Sequence, residues 1–264
     1  MPQPSPFLTT TTLTLASLLA VGCATAPPPV QVYTPRFGFA YPAANEAPAG
    51  DITIAIIRPV DVNEANIQAK KDRDARIASF RASGWGVDGL TSKYEKLDEA
   101  FRSSMVAQLQ ELFNAKGFKQ RGPFDDLNGM TFPDKKGSDL TLTTQVGIGI
   151  ALPQKMRQTK PNLVGSDVHV IVTSGPCSAS GFVSFVILEP LSGEKLWVKK
   201  VDVPPVQANC SGEAEDDQFL ANGYAYVLEQ VYPVVMKTAW DYLSSEELAV
   251  LKKQAQELRT KKVY

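Results

Sequence analysis

The chain has 264 residues, with 27 Lys and Arg against 28 Asp and Glu and a formal net charge of −1. The two signs are interspersed, which argues against nucleic acid as a partner, because phosphate binding wants a basic stripe. One histidine and three cysteines, with no His-Glu-x-x-His, phosphate-binding glycine loop or nucleophile elbow, point to a non-enzymatic protein with no metal and no cofactor beyond covalent lipid, the one catalytic alternative being a Cys177 and His169 dyad that oxidation of Cys177 would abolish.

Residues 1–22 read as a lipoprotein signal peptide. The apolar run 13–21 is far short of the ~20 residues that span a bilayer, and it ends in Leu18-Leu19-Ala20-Val21-Gly22-Cys23, small residues directly before a cysteine. Cys23 is therefore the expected lipidation site and the mature N-terminus, the alternative being an ordinary secretory signal. Two or three acyl chains, at ~0.8 kcal/mol per buried methylene, anchor stably without any apolar protein segment. Ala24 after the cysteine, where Asp would favour inner-membrane retention, points to the outer membrane.

Residues 23–50 carry the lipidated cysteine and a proline-rich tether, which at ~3.1 Å per residue reaches several tens of ångströms. Within it Arg36-Phe37-Gly38-Phe39-Ala40-Tyr41 alternates and is expected to add as a strand to the domain's edge. About 240 residues remain after the signal, enough for one substantial domain over 51–264.

Residues 51–60 are β-branched and apolar and stop at Arg58-Pro59, a first strand. The charged stretch 63–81 predicts a solvated helix, followed by a mobile loop with Gly84, Gly86 and Gly89. Over 92–116, Tyr94, Leu97, Phe101, Met105, Leu109 and Leu112 recur at helical spacing, with Gly117 as the stop. That stripe is core against a sheet. Residues 139–152 alternate, with Leu140, Leu142, Val146, Ile148 and Ile150 on one face.

Segment 153–161 reads as a hairpin loop whose Lys155, Arg157, Thr159 and Lys160 suit a carboxylated sugar through charge-assisted hydrogen bonds, or simply keep an exposed turn solvated. Strands over 168–173, 181–189 and 195–203 then form an antiparallel meander. His169, on the first of these, has a structural or surface role. With Leu191 paired to Glu194 around Ser192-Gly193, Cys177 falls opposite Ala208 and two positions from Cys210. A disulfide between Cys177 and Cys210 follows, favoured by export into an oxidising compartment. Residues 216–243 read as a helix that Pro233 should kink or divide, and Ser244-Ser245-Glu246-Glu247 opens a last helix.

Gly181-Phe182-Val183, Ile187-Leu188-Glu189-Pro190 and Ser192-Gly193-Glu194-x-Leu196 resemble the neuraminyllactose-binding hemagglutinin (adhesin A) lipoprotein family. So do Arg58-Pro59, Lys135-Lys136 and Lys253-x-Ala255-x-Glu257-Leu258, and the resemblance spans nearly all of 51–262. It implies a surface lipoprotein of adhesion or of the flagellar sheath. The family's proposed sialic-acid motif runs lysine, arginine, threonine, isoleucine, glutamine, lysine; only Lys155 and Lys160 match in place, and Met156 stands where the arginine belongs. A second resemblance, to the small α/β domain of envelope assembly lipoproteins, implies docking on a protein complex instead.

The expected architecture is α+β: a mixed, mostly antiparallel sheet of about five strands packed with helices in an αβα-like sandwich. The expected protein is a non-enzymatic outer-membrane lipoprotein whose partners are the membrane, through its lipid, and a glycan, sialylated ones included, or an envelope protein.

Overall fold

The computed structural model describes residues 30–42, 51–83, 92–161, 167–214 and 217–262. Residues 1–22, the segment expected to be a signal peptide, Cys23 and the three glycines 84, 86 and 89 lie outside the described residues.

The main sheet has strands β1 (Thr53–Ile57), β2 (Val60–Asp61), β3 (Lys119–Phe124), β4 (Leu140–Ala151), β7 (Pro176–Leu188), β8 (Lys195–Asp202) and β9 (Gln207–Asn209). Its order is β3-β1-β4-β7-β8, with β2 beside β4 and β9 beside β7. β1 is parallel to β3 and β4, whereas β4, β7 and β8 run antiparallel. A second sheet, β10-β6-β5, holds β5 (Met156–Pro161), β6 (Asp167–Thr173) and β10 (Gly212–Ala214). The helices are α1 (Glu64–Ala82), α2 (Lys93–Ala115), α3 (Phe132–Lys136), α4 (Gln218–Tyr242) and α5 (Ser245–Lys261).

The core follows from the alternation and the helical stripe. Ile54, Ile56, Leu140, Leu142, Val183, Phe185 and Ile187 of the sheet share one cluster with Phe101, Met105, Leu109 and Leu112 of α2, with most of the apolar side of α4, and with Leu248, Leu251 and Ala255 of α5. Each of the larger of these side chains contributes roughly 1.5–3 kcal/mol on burial. Ser92 caps α2 by accepting the Tyr94 N–H, and Gly117, at φ 78°, follows its end. Ser244 caps α5 through the Glu247 N–H.

Several expectations are corrected. Residues 156–161 form a strand, not a loop, and β6 leaves the expected meander. β4 lies between β1 and β7, and β7 between β4 and β8, so neither has an edge free for β6, which pairs with β5 and β10 instead. The hairpin turn spans 190–193: Glu189 donates its N–H to the Glu194 carbonyl and accepts that of Gly193. A bulge between Ile187 and Leu188 and the separate strand β9 restore the pairing of Cys177 with Ala208.

Pro233 sits inside α4 without dividing it. Buried Leu228, Val231 and Tyr232 before it, and Val235, Met236 and Ala239 after it, offset the ~3 kcal/mol that an interior proline costs. β3 and α3 escape the sequence pattern altogether. β3 is an edge strand with Pro123, where a missing N–H is tolerated, and α3 is a single turn closed by a Thr131 and Asp134 capping box.

Cys177 and Cys210 are joined, their Cα atoms 5.6 Å apart. Gly223 of α4 makes room for the bridge: a Cβ there would stand 2.1 Å from the Cys210 sulfur and 3.1 Å from that of Cys177.

Candidate functional site

Lys155, just before β5, and Arg157, Thr159 and Lys160 within it do not converge. Successive strand residues point to opposite faces, so Lys160 faces away from Arg157 and Thr159, which sit opposite Ile171 and His169 of β6. Thr159 Oγ1 lies 3.2 Å from His169 Nδ1. Lys160 Nζ donates to both Glu213 oxygens of β10, at 2.6 and 2.5 Å, and Lys155 Nζ donates to Asp217 Oδ2 at 2.7 Å. Burial pushes the Asp217 carboxyl up, but Lys155, Lys93 and the Tyr94 hydroxyl outweigh it and hold it below the usual range. A sugar carboxylate would have to displace these acids.

The concave site lies elsewhere. A groove of about 850 Å³ opens between α1, β2 and α2, lined by Asp61, Asn66, Arg73, Tyr94, Glu95, Asp98, Glu99, Arg102 and Tyr224, with Lys70, Lys71 and Arg76 along α1. Tyr94 and Tyr224 pack edge to face, ring centroids 5.1 Å apart. Tyr224 Oη donates to Asp98 Oδ1 at 2.6 Å. Arg102 reaches Glu99 Oε2 at 3.1 Å and Asp61 Oδ2 at 3.5 Å, and Asn66 Nδ2 donates to Asp61 Oδ2 at 3.1 Å and to the Ile148 carbonyl at 3.2 Å. Arg73 pairs with Glu95, tying α1 to α2.

Burial raises the Asp98 carboxyl to about 6, against the lowering pull of the Tyr224 hydroxyl and Arg102. Tyr224 is itself pushed up, by burial first and then by Asp98. The sequence held a signal for this site: Asp98 falls four residues after Tyr94 and three before Phe101, a carboxylate interrupting the apolar stripe of α2. Asp61, Arg102 and Tyr224 gave none, since only the tertiary fold brings β2, α2 and α4 together. Among the described residues no group of three or more acidic, histidine or cysteine side chains is placed to hold a metal.

A third feature is residues 30–42. They are extended but join no strand edge. Phe37 packs on Phe101 and Tyr232, with ring centroids 5.4 Å from each, and Tyr41 stacks on Trp240 at 5.1 Å while its hydroxyl donates to the Gln108 carbonyl at 2.9 Å. The alternation is real, with Phe37, Phe39 and Tyr41 half-buried between exposed neighbours. Its partner is the seam between α2 and α4, where Gln108 Oε1 accepts the Phe39 N–H in place of a strand.

A family model described as neuraminyllactose-binding hemagglutinin precursor matches residues 87–262. No curated protein matches the chain. Among solved structures, a neuraminyllactose-binding hemagglutinin homolog from Helicobacter pylori is 15% identical, with TM-score 0.55, covering 86% of this chain and 100% of its own. A protein from Xanthomonas campestris is 9% identical with TM-score 0.35, over 86% of this chain and 99% of its own. A Neisseria meningitidis lipoprotein is 13% identical with TM-score 0.28, over 72% and 99%. With the family model covering residues 87–262 of 264, this chain belongs to the neuraminyllactose-binding hemagglutinin family.

Proposed function

We propose that the protein is a non-enzymatic envelope lipoprotein, held by Cys23 in the outer membrane, whose domain binds a glycan, sialylated ones included, in the groove between α1 and α2. The observation that carries this reading is the groove itself: planar polar side chains of Asp61, Asn66, Asp98 and Arg102 beside the Tyr94 and Tyr224 rings. Sugars offer hydroxyls to such groups and C–H faces to aromatic rings, and Lys70, Lys71 and Arg76 along α1 supply the ammonium and guanidinium donors that a sugar carboxylate needs, with Arg102 held in place by Asp61 and Glu99.

The test is a glycan array with the soluble domain and two variants. Arg102→Gln with Asn66→Ala should lose binding, whereas alanine at Lys155, Arg157 and Lys160 together should retain it. Loss only in the β5 variant would return the site to that strand, and no binding by any form would remove the glycan clause. The firm seating of residues 30–42 on α2 and α4 supports a second reading, an envelope or flagellar-sheath assembly role in which the domain is held rigidly for docking on a complex. Recovery of envelope proteins after mild crosslinking, absent for the Cys23→Ser form, would favour it.

A further inference from the structure

We infer that residues 31–41 form a fixed mast that turns one end of the domain, the small sheet and the start of α4, toward the bilayer that carries Cys23. The inference rests on lipidation of Cys23, as proposed above. Asn222, one turn into α4, holds the start of the mast from both sides: its Nδ2 donates to the Gln31 carbonyl at 2.7 Å and its Oδ1 accepts the Tyr33 N–H at 2.9 Å. Tyr33 also donates its hydroxyl to Glu229. Farther along, Phe37 meets Tyr232 and Tyr41 meets Trp240.

The mast therefore runs along α4 in the helix's own direction. Its ten residue steps, ~33 Å when extended, match the roughly 27 Å of helix rise from Asn222 to Trp240. The chain leaves it at Gln31, at the start of α4, only eight residues after Cys23. Eight residues reach about 25 Å as a proline-rich segment and about 28 Å at full stretch. The far end of α4, at Tyr242, is about 30 Å from Asn222. Turning that end to the headgroups exceeds what eight residues span, whereas the near end lies well within reach.

The near end is built for water and headgroups. Lys155 and Lys93 meet Asp217, and Lys160 meets Glu213, while Arg157 is exposed on β5, so this end presents a charged surface that lies against the headgroups without inserting. Tyr94, bonded to Asp217, puts one end of the groove there too.

The experiment uses the lipidated full-length protein in liposomes whose headgroups carry an energy-transfer acceptor, with a single non-cysteine donor label at Ser211 or at Glu246. Ser211 is exposed beside Gly212, which lies against Phe219 of α4; Glu246 is exposed just beyond the far end. Transfer should be several-fold stronger from Ser211. Inserting twenty Gly and Ser residues after Ala24 leaves the mast seated and should erase the difference, as should release of the mast by Phe37→Ala with Tyr41→Ala. Equal transfer from both sites in liposome-bound native protein, or stronger transfer from Glu246, overturns the orientation. Protein that never floats with the liposomes overturns instead the anchoring on which it rests.

Discussion

Arg259, near the end of α5, donates from Nε to Oε1 of the fully buried Glu189 at 2.8 Å, while its second nitrogen bonds the Ser138 carbonyl at 2.8 Å. Glu189 Oε2 in turn accepts the Ser192 N–H at 2.6 Å. Burial pushes this carboxyl up, but the Ser192 N–H, Arg259 and the Leu191 N–H together hold it below the usual glutamate range. The Glu189-Pro190-Leu191-Ser192-Gly193 turn is thus a structural lock between the β7 to β8 hairpin and the last helix.

Removing one partner of a buried pair leaves an uncompensated charge, at a cost of about 3–5 kcal/mol. Arg259→Ala should lower unfolding stability by that order, and Arg259→Ala with Glu189→Gln should recover part of it. Because the folded Glu189 pKa is depressed, its contribution is present above the ordinary value of 4.5 and declines as pH falls below it. The single variant should approach the native protein in acid. Denaturant melts at pH 7 and pH 3.5 check both points.

Asp98 predicts the opposite slope. Its folded pKa is raised to about 6 from 3.8, so the folded state binds the proton more tightly than the unfolded chain. The contribution of Asp98 to stability is greatest below pH 3.8 and falls through the window up to about pH 6, by on the order of 3 kcal/mol. Asp98→Asn keeps an acceptor for the Tyr224 hydroxyl and removes the titration. Its stability relative to the native protein should rise between pH 4 and pH 6.5, measured by urea unfolding.

The bridge and Gly223 form a coupled pair. Closing a 33-residue separation stabilises the fold by about 3–4 kcal/mol on a chain-entropy account, so reduction should lower the urea midpoint accordingly. Gly223→Ala drives a methyl into the Cys210 sulfur and should cost about 1–3 kcal/mol by overpacking. In a Cys177→Ala and Cys210→Ala background the same substitution should cost much less. Additive effects in that double-mutant cycle would show that the glycine does not serve the bridge.

The mast contributes to stability as well as to placement. Phe37→Ala removes a half-buried ring from between Phe101 and Tyr232 and should cost about 2 kcal/mol, less than the 3–5 of a fully buried phenylalanine. Limited proteolysis should then cut within residues 30–42, where the native domain resists. Equal resistance in the two forms would mean that Phe37 does not hold the segment.

Local pattern made much of this fold legible. The stripe of α2, its Gly117 stop, the alternation of β4 and the serine cap of α5 each state their environment within a dozen residues, because helical and strand periods imprint burial directly. β3 and α3 were hidden, the first by Gly122 and Pro123 at a sheet edge and the second by its single turn. Lys155, Arg157, Thr159 and Lys160 looked like one cluster because they adjoin in sequence. Strand alternation, together with acids on β10 and at the start of α4, separates them.

The sequence by itself determined the mixed helix and strand content, the family, the candidate anchor Cys23 and the alternation in Phe37, Phe39 and Tyr41, since all are written in short-range spacing. Only the tertiary structure decided what those pieces meet. Strand edges already occupied sent β6 to a second sheet, and a helix seam received the aromatic mast. The folding of β2, α2 and α4 against one another gathered Asp61, Asp98, Arg102 and Tyr224 into a groove. Contacts between distant segments depend on which surfaces remain free once the core has closed, and no local period records that.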